Sequence, residues 1–201
     1  MAPVAPGSET GPLNGEDRSM TELWQRSALE LAAMIRDGDS SSRAVVQAHL
    51  GRIDAVNDSL NAVVRRLDEA ALAAADAADA AVERGDDLGV FHGVPITVKE
   101  NIDLVGSPTT QAVPAFADAL PTEDAPVTER MKAAGAIPIA RTNLPDFGLR
   151  VHTDSSLHGL TLNPHHPGRT AGGSSGGEAA AIATGMSPLG LGNDIGGSLR
   201  N

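Results

Sequence analysis

Between Gly93 and Ala140 the sequence switches pattern twice. Gly93-Val94-Pro95-Ile96-Thr97-Val98-Lys99-Glu100-Asn101 is a short β-branched run with a lysine at its end, and β-branched side chains suit a pleated strand. A helix is predicted over roughly 127–134, where Gly135 stops it, and a second strand over 136–140. Strand, helix, strand is the pattern of an α/β domain, in which each element buries its apolar side against another layer.

Three helices are predicted upstream. Ser27 and Glu30 have capping-box spacing, and Leu29, Leu31, Ala32 and Ile35 supply an apolar stripe that ends at Gly38. The serines at 40–42 can cap a second helix, in which Val45, Val46, His49, Leu50 and Ile53 share a buried face. A third runs from Asp68 to Arg84 with Gly85 as its stop, and its many alanines allow close packing. Residues 1–18 are rich in Pro, Gly, Ser and acid and read as a flexible tail, so the domain is expected over 19–201.

Composition removes several function classes. Fifteen basic against 26 acidic residues give a formal charge of −11, which disfavours nucleic acid and anionic lipid as partners. The aromatic content of 2% leaves little ring surface for stacking on bases or sugars. With no Cys there is neither a disulfide nor a thiolate nucleophile, and a reducing cytoplasm fits. The N-terminus has no basic and apolar leader pattern, and no stretch approaches the apolar length of a membrane span.

Residues 141–201 change character: Gly, Ser, Thr, Asn, Pro and His dominate, interrupted by a helical stretch predicted over 178–184. Glycine lets backbone approach a ligand closely, so the chemistry is expected here. Two segments each set a serine beside paired glycines, Ala171-Gly172-Gly173-Ser174-Ser175-Gly176-Gly177-Glu178 and Asn193-Asp194-Ile195-Gly196-Gly197-Ser198-Leu199-Arg200. In the first, Ser175 and Glu178 have capping-box spacing, which gives Ser175 a structural task and leaves Ser174 free to point elsewhere. A flexible linker would not run straight into an Ala-rich helix, and no Lys-Ser or Lys-Thr follows as a Walker phosphate loop requires. In the second, the N–H groups of Ile195, Gly196 and Gly197 can converge on one point beside a hydroxyl, which is what an oxyanion hole and nucleophile require; a plain surface turn is the other reading of that segment alone.

Together the segments resemble the amidase-signature family, whose members share Gly-Gly-Ser-Ser-Gly-Gly and, farther on, Asp-x-Gly-Gly-Ser-x-Arg. The Lys99 strand, Arg141-Thr142-Asn143-Leu144 and Thr161-Leu162-Asn163-Pro164 match the landmarks between. The resemblance implies a mixed β-sheet flanked by helices and an amide hydrolase in which Ser198 is the nucleophile, Ser174 the serine of a cis peptide that relays protons, and Lys99 the base. Ile195, Gly196 and Gly197 would form the oxyanion hole. It implies no cofactor and no metal, and His152, His158, His165 and His166 read as surface or loop-stabilising residues. A lysine can replace histidine as base only when uncharged, and the apolar neighbours Val94, Ile96 and Val98 are expected to desolvate it. Asp194 and Arg200 are expected to hold the turn by an ion pair.

The match is to an N-terminal portion of the family fold, which implies further chain to complete the sheet and much of the acyl pocket. Two other readings stay open: a non-catalytic remnant, and the glutaminase subunit of a tRNA-dependent amidotransferase, which shares these motifs but commonly has Ser where this chain has Glu178 and Thr where it has Ile195. Expected partners are a small-molecule amide and, among proteins, a second copy of the chain or a complementing C-terminal fragment.

Overall fold

The computed structural model describes residues 23–201; the tail expected over 1–18 lies outside the described residues. The first helix, α1 (Ala28–Asp37), starts where expected. Ser27 Oγ accepts the Glu30 N–H at 3.3 Å, the Glu30 carboxylate accepts the Ser27 N–H at 2.8 Å, and Gly38 ends the helix at φ 80°. Ser41 caps α2 (Ser42–Val56) by accepting the Ala44 N–H at 3.0 Å, and Val45, Val46, His49, Leu50 and Ile53 are all buried. Burial holds His49 neutral by lowering its pKa to about 4, while its Nδ1 contacts the Val45 carbonyl.

A short strand follows that the sequence pattern did not predict, β1 (Val63–Arg66), then α3 (Asp68–Arg84), which Gly85 closes. The remaining elements are β2 (Pro95–Lys99), α4 (Pro126–Ala133), β3 (Ile137–Thr142), the hairpin strands β4 (Asp154–Ser155) and β5 (Gly159–Leu160), α5 (Gly176–Ala183) and β6 (Gly190–Leu191). Helix α4 begins one residue before the predicted start because Pro126 is suited to a first turn, where its missing N–H has no partner to lose.

One mixed sheet orders the strands β1-β3-β2-β6. β2 lies between β3 and β6, parallel to both, while β1 pairs antiparallel with β3. The larger core joins Val46, Leu50 and Ile53 of α2 to Ala71 and Ala75 of α3, Ile139 of β3, and Ala180 and Ala181 of α5. The alanines of α3 and α5 leave little side-chain bulk at these contacts, so both helices lie close to their neighbours. Among the described residues no helix is long and apolar enough to cross a membrane.

Candidate active site

Strand β2 is buried along its whole length and ends at Lys99, which has no exposed surface. Side chains alternate across a strand, so Thr97 and Lys99 share one face while Ile96 and Val98 take the other. Ile96 and Val98 pack with Ile102, Leu104, Ala136 and Leu191. The expectation that these apolar neighbours desolvate Lys99 is therefore corrected. Hydroxyls, Asn193 and the buried segment 174–178 enclose the amine instead. The strand end is braced by Arg141, a fully buried guanidinium that donates to the carbonyls of Val98, Lys99 and Ile102 at 3.2, 3.3 and 2.7 Å.

The first Gly-rich segment forms the roof. Gly177 lies so close to the chain that a Cβ there would meet the backbone N and O of Asn143 at 2.5 Å, so only glycine lets α5 dock against the end of β3. The Gly173–Ser174 peptide bond is cis. Lys99 Nζ lies 2.7 Å from Ser174 Oγ, 2.9 Å from Ser175 Oγ and 2.7 Å from Asn193 Oδ1, and Ser174 Oγ lies 2.9 Å from Ser198 Oγ. The Ser175 N–H also donates to the Ser198 carbonyl at 3.2 Å, tying the second segment to the first.

The predicted capping box at Ser175 and Glu178 does not form. Ser175 precedes α5 but makes no side-chain cap; its hydroxyl accepts from Lys99 and donates to the Asn193 carbonyl at 3.2 Å. Glu178 turns away from the helix start and accepts from the hydroxyls of Thr97 at 2.6 Å and Thr142 at 2.8 Å. A buried lysine and two buried threonine hydroxyls take these side chains, and the Ser175 N–H that a capping box would use already donates to the Ser198 carbonyl.

Burial lowers the Lys99 pKa to about 8, against the charges of Glu178 and Asp194, which favour the ammonium. Burial likewise pushes the Glu178 carboxyl up to about 7, against the two threonine hydroxyls and the charges of Lys99 and Arg141. Both groups are thus drawn toward their neutral forms.

Asp194 organises the second segment. Its carboxylate accepts the N–H groups of Gly197 at 2.6 Å and Leu199 at 3.1 Å, and pairs with Arg200 at 2.9 and 3.0 Å, the ion pair expected from the sequence. The Arg200 side chain and these N–H donors hold its pKa below the usual carboxylate range. Gly197 thus spends its N–H on Asp194, while the N–H groups of Ile195 and Gly196 make no hydrogen bond among the described residues. A cavity of about 300 Å³ opens beside them, lined by Asn101, Phe147, Leu149, Val151, Ser174 and Ser198 among others.

Two contributors, Asn193 and Glu100, were not singled out from sequence. Asn193 binds Lys99 through Oδ1 and donates from Nδ2 to Asn101 Oδ1 at 3.1 Å; it sat inside a segment already of interest, directly before the acidic turn. Glu100, next to Lys99, is wholly buried and accepts from Thr110 at 2.6 Å. His158 meets the same carboxylate through Nε2 at 2.5 Å, which pins the β4–β5 hairpin to the end of β2 and makes this histidine a loop-stabilising one. Among the described residues no group of three or more His, Asp and Glu side chains is arranged to hold a metal ion.

Comparison with known proteins gives this arrangement its context. The chain is 53% identical over 178 residues to an indoleacetamide hydrolase of Bradyrhizobium diazoefficiens, a match that covers 89% of this chain and 34% of that protein. It is 42% identical over 181 residues to one of the subunits of the glutamyl-tRNA(Gln) amidotransferase of Salinispora arenicola, covering 90% and 37%. Among solved structures, a bacterial aryl acylamidase of the amidase signature family superposes with a TM-score of 0.83 at 32% identity, covering 87% of this chain and 36% of that one. The chain spans about a third of the length of the curated relatives it matches. The family model described as Amidase matches residues 44–201, which takes in the Lys99 strand and both Gly-rich serine segments, and the chain therefore belongs to the amidase family.

Proposed function

We propose that this chain carries the acyl-transfer machinery of an amide hydrolase, with Ser198 as nucleophile, Ser174 as proton relay and Lys99 as base. The observation that supports this most is the continuous run from Lys99 Nζ to Ser174 Oγ to Ser198 Oγ at 2.7 and 2.9 Å. The hydrogen bonds around Lys99 support these roles. Asn193 Oδ1 can only accept, and Ser175 spends its proton on the Asn193 carbonyl, so both take N–H bonds from Lys99. A neutral amine has two N–H groups and one lone pair. That lone pair falls to Ser174.

In the reaction, Ser198 Oγ attacks the amide carbonyl as its proton passes to Ser174 and the Ser174 proton passes to Lys99. The resulting oxyanion faces the N–H groups of Ile195 and Gly196, with Gly197 in the set already engaged by Asp194. Collapse breaks the C–N bond, the proton returns through Ser174 to the leaving nitrogen, and an ester on Ser198 remains. Water then releases the carboxylic acid by the same relay. The residues alone supply every proton transfer, with no cofactor.

The similarity to an indoleacetamide hydrolase, together with the exposed side chains of Phe147, Leu149, Val151 and Ile195 around the cavity, favours an apolar carboxamide substrate. The similarity to an amidotransferase supports a glutaminase as the second reading. The outer edge of β6 and exposed Leu199 support closure of the pocket by further protein chain, in cis or from a complementing C-terminal fragment, and the cysteine-free sequence suits a reducing cytoplasm. In the full-length natural protein, a fluorophosphonate is expected to label Ser198 and Ser198→Ala to abolish both labelling and amide hydrolysis. Undiminished hydrolysis by folded Ser198→Ala would falsify the assignment.

A further inference from the structure

We propose that Glu178 is a positioning residue for this triad: its buried carboxyl joins β2 to β3 beneath Lys99, and its charge governs how readily Lys99 releases a proton. The inference rests on the triad reading above. Thr97 and Lys99 lie on one face of β2, and Thr142 pairs with Lys99 across the sheet. Glu178, from the first turn of α5, reaches that face and accepts from Thr97 of β2 with one oxygen and from Thr142 of β3 with the other. Room for it comes from β6, where a Cβ on Gly190 would stand 2.0 Å from Glu178 Oε2. Three strands and a helix thus converge on one carboxyl, and the same helix start carries Ser174 and Ser175.

The charged groups that bear on the pair come from each packed element. Glu178 senses Lys99 from β2 and Arg141 from β3, and Lys99 senses Glu178 from α5 and Asp194 from the nucleophile segment. Asp194 is itself neutralised by Arg200, with its carboxylate turned to Gly197, Leu199 and Arg200. Among the described residues Glu178 has no such cationic clamp; its direct partners are the neutral hydroxyls of Thr97 and Thr142. An ionised Glu178 therefore stabilises the Lys99 ammonium and works against the free base, whereas a protonated Glu178 does not. Depressed below its ordinary value, Lys99 becomes a base as pH rises through about 8, so activity that depends on it falls on the acid side of that value.

The experiment is the pH dependence of fluorophosphonate labelling of Ser198 in the full-length natural protein, comparing wild type with Glu178→Gln. Glutamine keeps the shape and removes the charge, so the acid limb should move down by about one pH unit. A purely structural role would lower the labelling rate without moving the limb. Thr142→Val, which removes one hydroxyl that stabilises the anion, keeps Glu178 neutral to higher pH and should shift the limb the same way by a smaller amount; it serves if Glu178→Gln does not fold. Labelling with a limb left in place in the folded variant overturns this inference alone. Absence of labelling in folded wild type removes the triad reading, and this inference with it.

Discussion

Ser174 and Ser175 both touch Lys99, and alanine at each is expected to have very different consequences. Ser175 accepts one N–H from Lys99 at 2.9 Å and donates to the Asn193 carbonyl at 3.2 Å. Each such bond is worth about 1 kcal/mol net, so Ser175→Ala should cost at most about 2 kcal/mol in the transition state, or roughly 30-fold in kcat/KM. Ser174 lies between Ser198 and Lys99, the proposed nucleophile and base, at 2.9 and 2.7 Å. In the proposed relay its loss removes the path for the proton both in attack and in leaving-group departure, and general acid–base assistance of this kind contributes about 10²–10⁴. Ser174→Ala should therefore sit near the upper end of that range. The measurements are kcat/KM on a carboxamide and the second-order rate of fluorophosphonate labelling, with folding checked by circular dichroism. Equal losses, or a heavier loss at Ser175, would refute the donor inventory that gives the Lys99 lone pair to Ser174.

Gly177→Ala must push α5 off Asn143, whose backbone atoms would stand 2.5 Å from the new Cβ, and should lower stability by about 2–3 kcal/mol, read as a lower urea midpoint at unchanged slope. A midpoint within error of wild type would show that the helix can slide freely. His158→Ala leaves the wholly buried Glu100 side chain with the Thr110 hydroxyl and a distant Arg65 at 3.9 Å, and loss of this buried hydrogen bond should cost about 1–3 kcal/mol in thermal or urea unfolding, with His158→Gln recovering part of it.

Two capping boxes with the same spacing show what sequence can and cannot tell. Ser27 and Glu30 are exposed, and the predicted reciprocal bonds form. Ser175 and Glu178 are buried, and donors from residues 76 and 81 positions away take both side chains. Local spacing holds information about local partners only. β1 was missed for a related reason: Val63 is buried but Arg65 and Arg66 face outward, and four residues carry too little alternation to signal a strand whose pairing with β3 is long-range. The glycine stops at Gly38 and Gly85 were legible because a left-handed helix end is a property of one residue. The Lys99 and serine segments were legible as motifs, but Asn193, Arg141 and Glu178 acquire their roles from the packing of strands far apart in sequence.

Lys99 meets its three oxygen partners across separations of 75, 76 and 94 residues. The chain therefore cannot assemble its amine site from local contacts. Until the segments around Ser174 and Asn193 dock on β2, Lys99 is an ordinary solvated cation with no lowered proton affinity, and only their arrival both buries it and gives it hydrogen-bond partners. In the proposed mechanism reactivity therefore awaits completion of the native packing: a partly folded molecule would hold neither an activated Ser198 nor a free base at Lys99.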